Sequence, residues 1–181
     1  MRLIGWDLET TNLSAIMGRI LCCSFKVIQP DRKGEIITLR GDDRKYRRPD
    51  ITDDGDLCQA IRDKLESYDV IVGHNSKLFD RKFLNARLLR AGARPLAPQF
   101  HIDTMWLIRT HFRISSKLDN VQKYLKLPDE KTPISWDDWQ RAAGFDRNAM
   151  DKIVEHNIKD VIVLEQAYWK LLPSMRTLQR G

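Results

Sequence analysis

No stretch of this sequence stays apolar for the roughly 20 residues that a membrane-spanning helix needs, which argues against a bilayer segment. The N-terminus lacks a basic stretch followed by an apolar one, so no secretory signal is expected. Cysteine is scarce: Cys22, Cys23 and Cys58 are the three present. None has metal-ligand spacing, and adjacent cysteines in a strand face opposite sides, which argues against an intrachain disulfide framework. Reduced thiols used as small apolar side chains, in a cytoplasmic protein, are expected instead. Repeats and low-complexity tracts are absent, so neither a solenoid nor a flexible linker is expected.

What is present suits an ordinary folded domain. The 181 residues, 42% hydrophobic and 31% charged, suffice for a single domain spanning 1–181 with a real core. Net charge is +6 and the pI is near 9.3, which favours a polyanionic partner.

Apolar runs predict strands over 2–9, 20–28 and 35–39, joined by short polar links, and again over 70–72 and 100–103. Helical spacing predicts helices over 57–65, 80–89 (stopped at Gly92), 104–109 and 118–125. A long helix is expected over 148–172, ending at Pro173, whereas 136–144 has no clear pattern and 42–54 is a charged loop. Antiparallel strands first, then alternating helices and strands, indicate an α/β domain with a mixed sheet.

Four acids break this apolar patterning. Asp7 and Glu9 lie in a strand-like run, and alternation points both to the same face. Two carboxylates about 4 Å apart repel by about 4 kcal/mol at an effective dielectric near 20. A divalent cation between them reverses that sign, and hard ions prefer carboxylate oxygens. Winding the last helix at about 100° per residue places Asp160 inside the apolar arc, with His156 one turn before it. A buried carboxylate needs a cation or a strong donor, so either a metal or a structural ion pair would serve. Asp80 opens a helix, where an N-cap role competes with a chemical one. His74 and Asn75 follow a buried strand and could be plain turn residues.

The run Asp7-Leu8-Glu9-Thr10-Thr11-Asn12-Leu13 resembles the first motif of the DEDD 3′–5′ exonucleases. The segment from His74 and Asn75 to Phe79-Asp80 resembles the second motif. Glu155-His156-Asn157-Ile158-Lys159-Asp160 resembles the third. Order and separation agree, and the likeness covers nearly the whole chain, closest to compact stand-alone phage and prokaryotic members. Two departures stand out. Asn12 replaces a usual glycine, and asparagine tolerates the left-handed turn that glycine would make. His156 sits at the spacing where one branch of the superfamily carries tyrosine.

The resemblance implies an RNase H-like fold, with three antiparallel N-terminal strands, then parallel strands, flanked by helices. It implies two Mg2+ or Mn2+ ions held by Asp7, Glu9, Asp80 and Asp160, with His156 orienting or deprotonating a water; an imidazole titrates near neutral pH. Thr10, Thr11, Leu13, His74, Asn75, Lys77 and Phe79 would meet the substrate, the 3′ end of single-stranded DNA or RNA. Lys77, Arg81, Lys82, Lys117 and Lys123 flank the motifs and could carry phosphates. The loop Arg44-Lys45-Tyr46-Arg47-Arg48 has the cation-plus-aromatic composition of single-strand binders. Trp136 and Trp139 fit a core, a lid or a stacking platform equally. An RNase H-type endonuclease and a non-catalytic nucleic-acid module are the competing functions, and a monomer is compatible with all three.

Overall fold

The computed structural model describes residues 1–128 and 133–178, with side chains described to Met175. Among the described residues five strands form one sheet: β1 (Leu3–Thr10), β2 (Ile20–Ile28), β3 (Ile36–Arg40), β4 (Val70–Gly73) and β5 (Phe100–Asp103). Spatially the order is β3-β2-β1-β4-β5, with β1, β2 and β3 antiparallel and β4 and β5 running parallel to β1. This is the mixed RNase H-like α/β sheet that the sequence predicts. Six helices among the described residues accompany it: α1 (Gly55–Glu66), α2 (Asp80–Arg90), α3 (Thr104–His111), α4 (Leu118–Tyr124), α5 (Trp136–Ala143) and α6 (Arg147–Leu178). None of the described helices is long and apolar enough to cross a membrane.

The central strand β1 sorts its side chains by alternation. Ile4, Trp6 and Leu8 enter one core, where Leu57, Ile61 and Leu65 of α1 meet Phe83, Leu84 and Leu88 of α2. Each such buried side chain contributes about 1.5–3 kcal/mol. Gly5, Asp7 and Glu9 face the other way, under α6. A Cβ on Gly5 would already stand 3.5 Å from Leu164 Cδ2, so α6 lies close to the sheet there. The apolar arc of α6 fills three clusters on this side, through Met150 and Ile153, through Val163 and Ala167, and through Leu164 and Tyr168. The cysteines are buried free thiols, as expected.

Two elements differ from the expectation. Residues 136–144 carry α5, capped by Ser135, whose hydroxyl accepts the Asp138 N–H. Short length hid its periodicity. Pro173 does not end the last helix, because α6 continues through it to Leu178. Proline costs a helix its local N–H, but Leu172 and Met175 pack into the clusters beneath and hold the following turn.

Candidate active site

β4 ends at Gly73, and its last partner on β1 is Gly5, opposite Val72. Beyond that point no strand among the described residues pairs with the β1 edge facing β4. The Leu8 N–H on this stretch donates to Asp80 Oδ1 at 3.1 Å. Asp80, the first residue of α2, therefore closes the gap left by the shorter strand. Its carboxylate is not the N-cap of α2, since Phe79 holds that position without a side-chain cap. Burial pushes the Asp80 carboxyl up to about 7, against the pull of the Leu8 N–H and its own N–H; nearby Asp103 pushes it up further.

The turn into α2 is built by Asp103, a residue the sequence reading did not single out. Its buried carboxylate collects the N–H groups of Asn75 (3.0 Å), Lys77 (2.9 Å), Met105 (3.1 Å) and Trp106 (3.2 Å). One aspartate thus caps α3 and pins the second motif. The signal was available: an aspartate at the end of an apolar run just before a helical pattern is an N-cap. Asn75 adopts a left-handed φ of 64°, which asparagine tolerates better than most residues. Gly73 is required in this turn, because a Cβ there would lie 1.9 Å from Ser76 Oγ.

Under α6 the remaining groups converge. His156 Nε2 lies 3.9 Å from Glu9 Oε1 and 3.8 Å from Asp160 Oδ2. Glu9, His156 and Asp160 each offer one ligand atom within 4.8 Å of the others, the spacing of a group that could hold a metal ion. Asp7 and Asp80 fall outside that grouping but are tied to it. Asn157, fully buried, donates from Nδ2 to Asp7 Oδ2 at 2.7 Å, and Asp80 binds the residue between Asp7 and Glu9. The sequence reading also passed over Asn157 as a site residue. On the same helical wheel it falls at about 40°, inside the apolar arc, and so carried the signal that exposed Asp160.

Other expected contacts are placed differently. Both ring nitrogens of His74 bind protein atoms, Nδ1 at 2.9 Å from Thr104 Oγ1 and Nε2 at 2.7 Å from the Ser116 carbonyl, so the imidazole ties β4 to the chain after α3. Asn12 is not left-handed; its side chain accepts the Ser14 N–H at 2.9 Å and its carbonyl accepts the Thr10 hydroxyl. The loop after β1 is thereby held by an Asx turn instead of a positive φ. Thr11 Oγ1 accepts the Arg19 N–H at 3.0 Å, which closes that loop. In the 44–48 loop, Tyr46 packs against the main core, the Arg47 guanidinium lies over the Phe145 ring and Arg48 pairs with Asp56. The tyrosine of that loop is thus partly taken up by packing, while Arg44, Lys45, Arg47 and Arg48 are exposed. Lys77, Lys82, Lys117 and Lys123 are exposed, whereas Arg81 donates to the Ala97 carbonyl.

An acidic pair on the central strand, facing a histidine and an aspartate one turn apart on a covering helix, defines an RNase H-like α/β domain with a candidate metal centre. The sequence model of the RNase_H_2 family, in the RNase H superfamily, matches residues 6–172, and the chain belongs to that family. The superfamily is one of nucleases, hydrolases that act on nucleic acid. No curated protein sequence matches the chain. Among solved structures, the fold is similar to that of the family B DNA polymerase from the hyperthermophilic archaeon Pyrobaculum calidifontis, with a TM-score of 0.65 and 21% identity over 96% of this chain. The chain spans 25% of that polymerase.

Proposed function

We propose that this protein is a divalent-metal-dependent 3′–5′ exonuclease that hydrolyses terminal phosphodiester bonds of DNA or RNA and releases nucleoside monophosphates. The observation that carries this reading is the meeting of Glu9, His156 and Asp160 within 4.8 Å at the end of the central strand. Carboxylate oxygens are the donors that suit Mg2+ or Mn2+. Asp7, Glu9, Asp80 and Asp160 would hold two such ions, which when bound supply an activated water and neutralise charge at the phosphorus.

The chain's own groups do the rest. His156 Nε2 stands 3.9 Å from Glu9 Oε1 and 3.8 Å from Asp160 Oδ2, so it lies where it can orient the attacking water or take a proton from it. Asn157 fixes the direction in which Asp7 presents its second oxygen. Exposed Lys77, Lys82, Lys117 and Lys123 offer cations to backbone phosphates around this acidic centre.

The decisive experiment is digestion of 3′-labelled and 5′-labelled single strands, DNA and RNA in parallel, with Mg2+ or Mn2+. Mononucleotide release from the 3′ end is expected. Cuts in a circular substrate would assign an RNase H-type endonuclease instead. Absence of both cleavage and calorimetric Mn2+ uptake would leave a binding module.

A further inference from the structure

A hollow of about 400 Å3 lies against the later part of α6, between that helix, the β2–β3 hairpin and the turn after α4. One of its lining residues, Lys26 on β2, stands opposite Gly5 of β1 in the sheet register. At about 3.3 Å per strand residue, Gly5 is about 13 Å from Glu9. At about 1.5 Å per helix residue, Lys170 lies about 15 Å beyond Asp160 on α6. One phosphate group cannot reach both the hollow and the acidic centre.

The charge in this hollow is unbalanced. Lys26, Arg32, Lys126 and Lys170 line it, against one carboxylate among the described lining residues, Glu165. That carboxylate is already engaged: Oε2 lies 3.6 Å from Lys26 Nζ, and Oε1 accepts the Trp169 indole N–H at 3.5 Å. Lys26 is buried, and its Nζ also donates to the Gly34 carbonyl. Arg32, Lys126 and Lys170 are exposed at the rim, where their charge is open to a ligand.

Two of these cations hold their places against backbone preference. Arg32 and Lys126 both have left-handed φ values, 59° and 51°. The Arg32 N–H closes a turn on the Gln29 carbonyl at 2.9 Å. After α4 the Lys126 N–H donates to the Lys123 carbonyl at 3.2 Å and the Leu127 N–H to the Gln122 carbonyl at 3.0 Å. Those paired bonds mark a helix end whose left-handed residue is usually glycine. Glycine would relieve the strain in both turns, so folding alone gives no reason for a long cation at each. Two strained turns far apart in sequence bring their charges to one hollow, and strain of that kind gathers at binding sites.

We propose that this hollow is an anion site, separate from the acidic centre, that binds a phosphate mono- or diester. Lys126, Lys170 and the Arg32 fork meet the phosphate oxygens, while Ile36 and Ile162 support the organic part. An internal phosphate of a nucleic-acid strand and a free nucleoside monophosphate both carry this chemistry.

The test runs in EDTA, which keeps hydrolysis out of the readout and makes the result independent of the nuclease reading. A fluorescein-labelled thymidine oligonucleotide is followed by anisotropy, and thymidine monophosphate by calorimetry. Wild type is compared with the double variant Arg32→Gly/Lys126→Gly and with Lys33→Ala, which removes an exposed cation of the same hairpin outside the hollow. Glycine accepts both φ values, so the double variant should keep or exceed the wild-type melting temperature while Kd rises tenfold or more. Weakened oligonucleotide binding alone, with a salt slope reduced by about 0.7 per cation removed, assigns internal phosphates of a strand. Weakened monophosphate binding assigns a free nucleotide. Lys33→Ala should change neither. Should the double variant melt lower, Lys170→Ala on the exposed side of α6 must show the same tenfold loss for the site to stand. Wild-type affinity in the double variant, an equal loss in Lys33→Ala, or a wild type that binds neither probe would overturn it.

Discussion

The Asn157 amide and the Asp7 carboxylate meet at 2.7 Å across 150 residues of sequence, joining the covering helix to the central strand. Asn157 Oδ1 in turn faces the Cys22 thiol on β2 at 3.8 Å. The amide sits one position after His156, so a single turn of α6 presents the histidine to Glu9 and orients Asp7.

Asn157→Ala should therefore lower both stability and turnover. A hydrogen bond to a charged group contributes about 1.5–3 kcal/mol, so thermal unfolding should register a loss of that order. Asn157→Asp should be worse without metal, because it sets two carboxylates in contact, and Mn2+ should recover part of the loss. A melting temperature equal to wild type in both variants would show that the contact carries no weight.

Asp80 gives a pH signature in metal-free protein. Its carboxyl ordinarily titrates at 3.8 and is pushed up to about 7 by burial, so between those values the folded state holds a proton that the unfolded state has lost. The stabilisation is complete below 3.8 and is lost as pH rises through about 7. In EDTA, wild type should lose melting temperature across that window and Asp80→Asn should not. Parallel profiles would contradict the assignment.

His101 acts with the opposite sign. Burial lowers its imidazole from 6.5 to about 4, and Ser76 Oγ lies 2.7 Å from its Nε2. The unfolded state binds the proton first, so this contribution is present above 6.5 and is lost as pH falls toward 4. His101→Gln should flatten that acid-side slope in a melting series, independently of Asp80. A slope that survives the substitution must come from another group.

Asp54 and Arg87 form a buried ion pair at 2.8 Å, with Asp54 also accepting the Ile20 N–H at 2.7 Å. Arg87 further donates to the Thr52 and Ala15 carbonyls, and so fastens the loop after β1 that carries Leu13. Asp54→Ala leaves a buried guanidinium without its counterion and should cost about 3–5 kcal/mol by denaturant unfolding. A loss below about 1 kcal/mol would mean that water reaches the arginine.

Asp7→Asn keeps an oxygen for Asn157 but weakens the carboxylate set. Hydrolysis should fall by at least 100-fold with little change in melting temperature, as checked by Mn2+-dependent nucleotide release. A collapse of stability instead would make Asp7 a structural residue.

Local chemistry left a clear imprint on the chain. The alternation of Leu3 to Glu9 fixed which face of β1 carries Asp7 and Glu9, and the 3.6-residue period of the last helix placed Asp160 among apolar neighbours, because both depend only on nearest-neighbour geometry. All five strands and most helices followed from the same periodicities, and two of the four acids singled out, Glu9 and Asp160, meet with His156 in space. Tertiary structure decided the rest. That Asp80 caps an unpaired β1 edge depends on where β4 stops, and Asp103 gathers N–H groups from two segments that no local pattern connects. Asn157 meets Asp7, and Trp136 stands across from Leu13, only because α6 and α5 pack on one side of the sheet. Long-range packing also carried the helix through Pro173, where local propensity predicts an end.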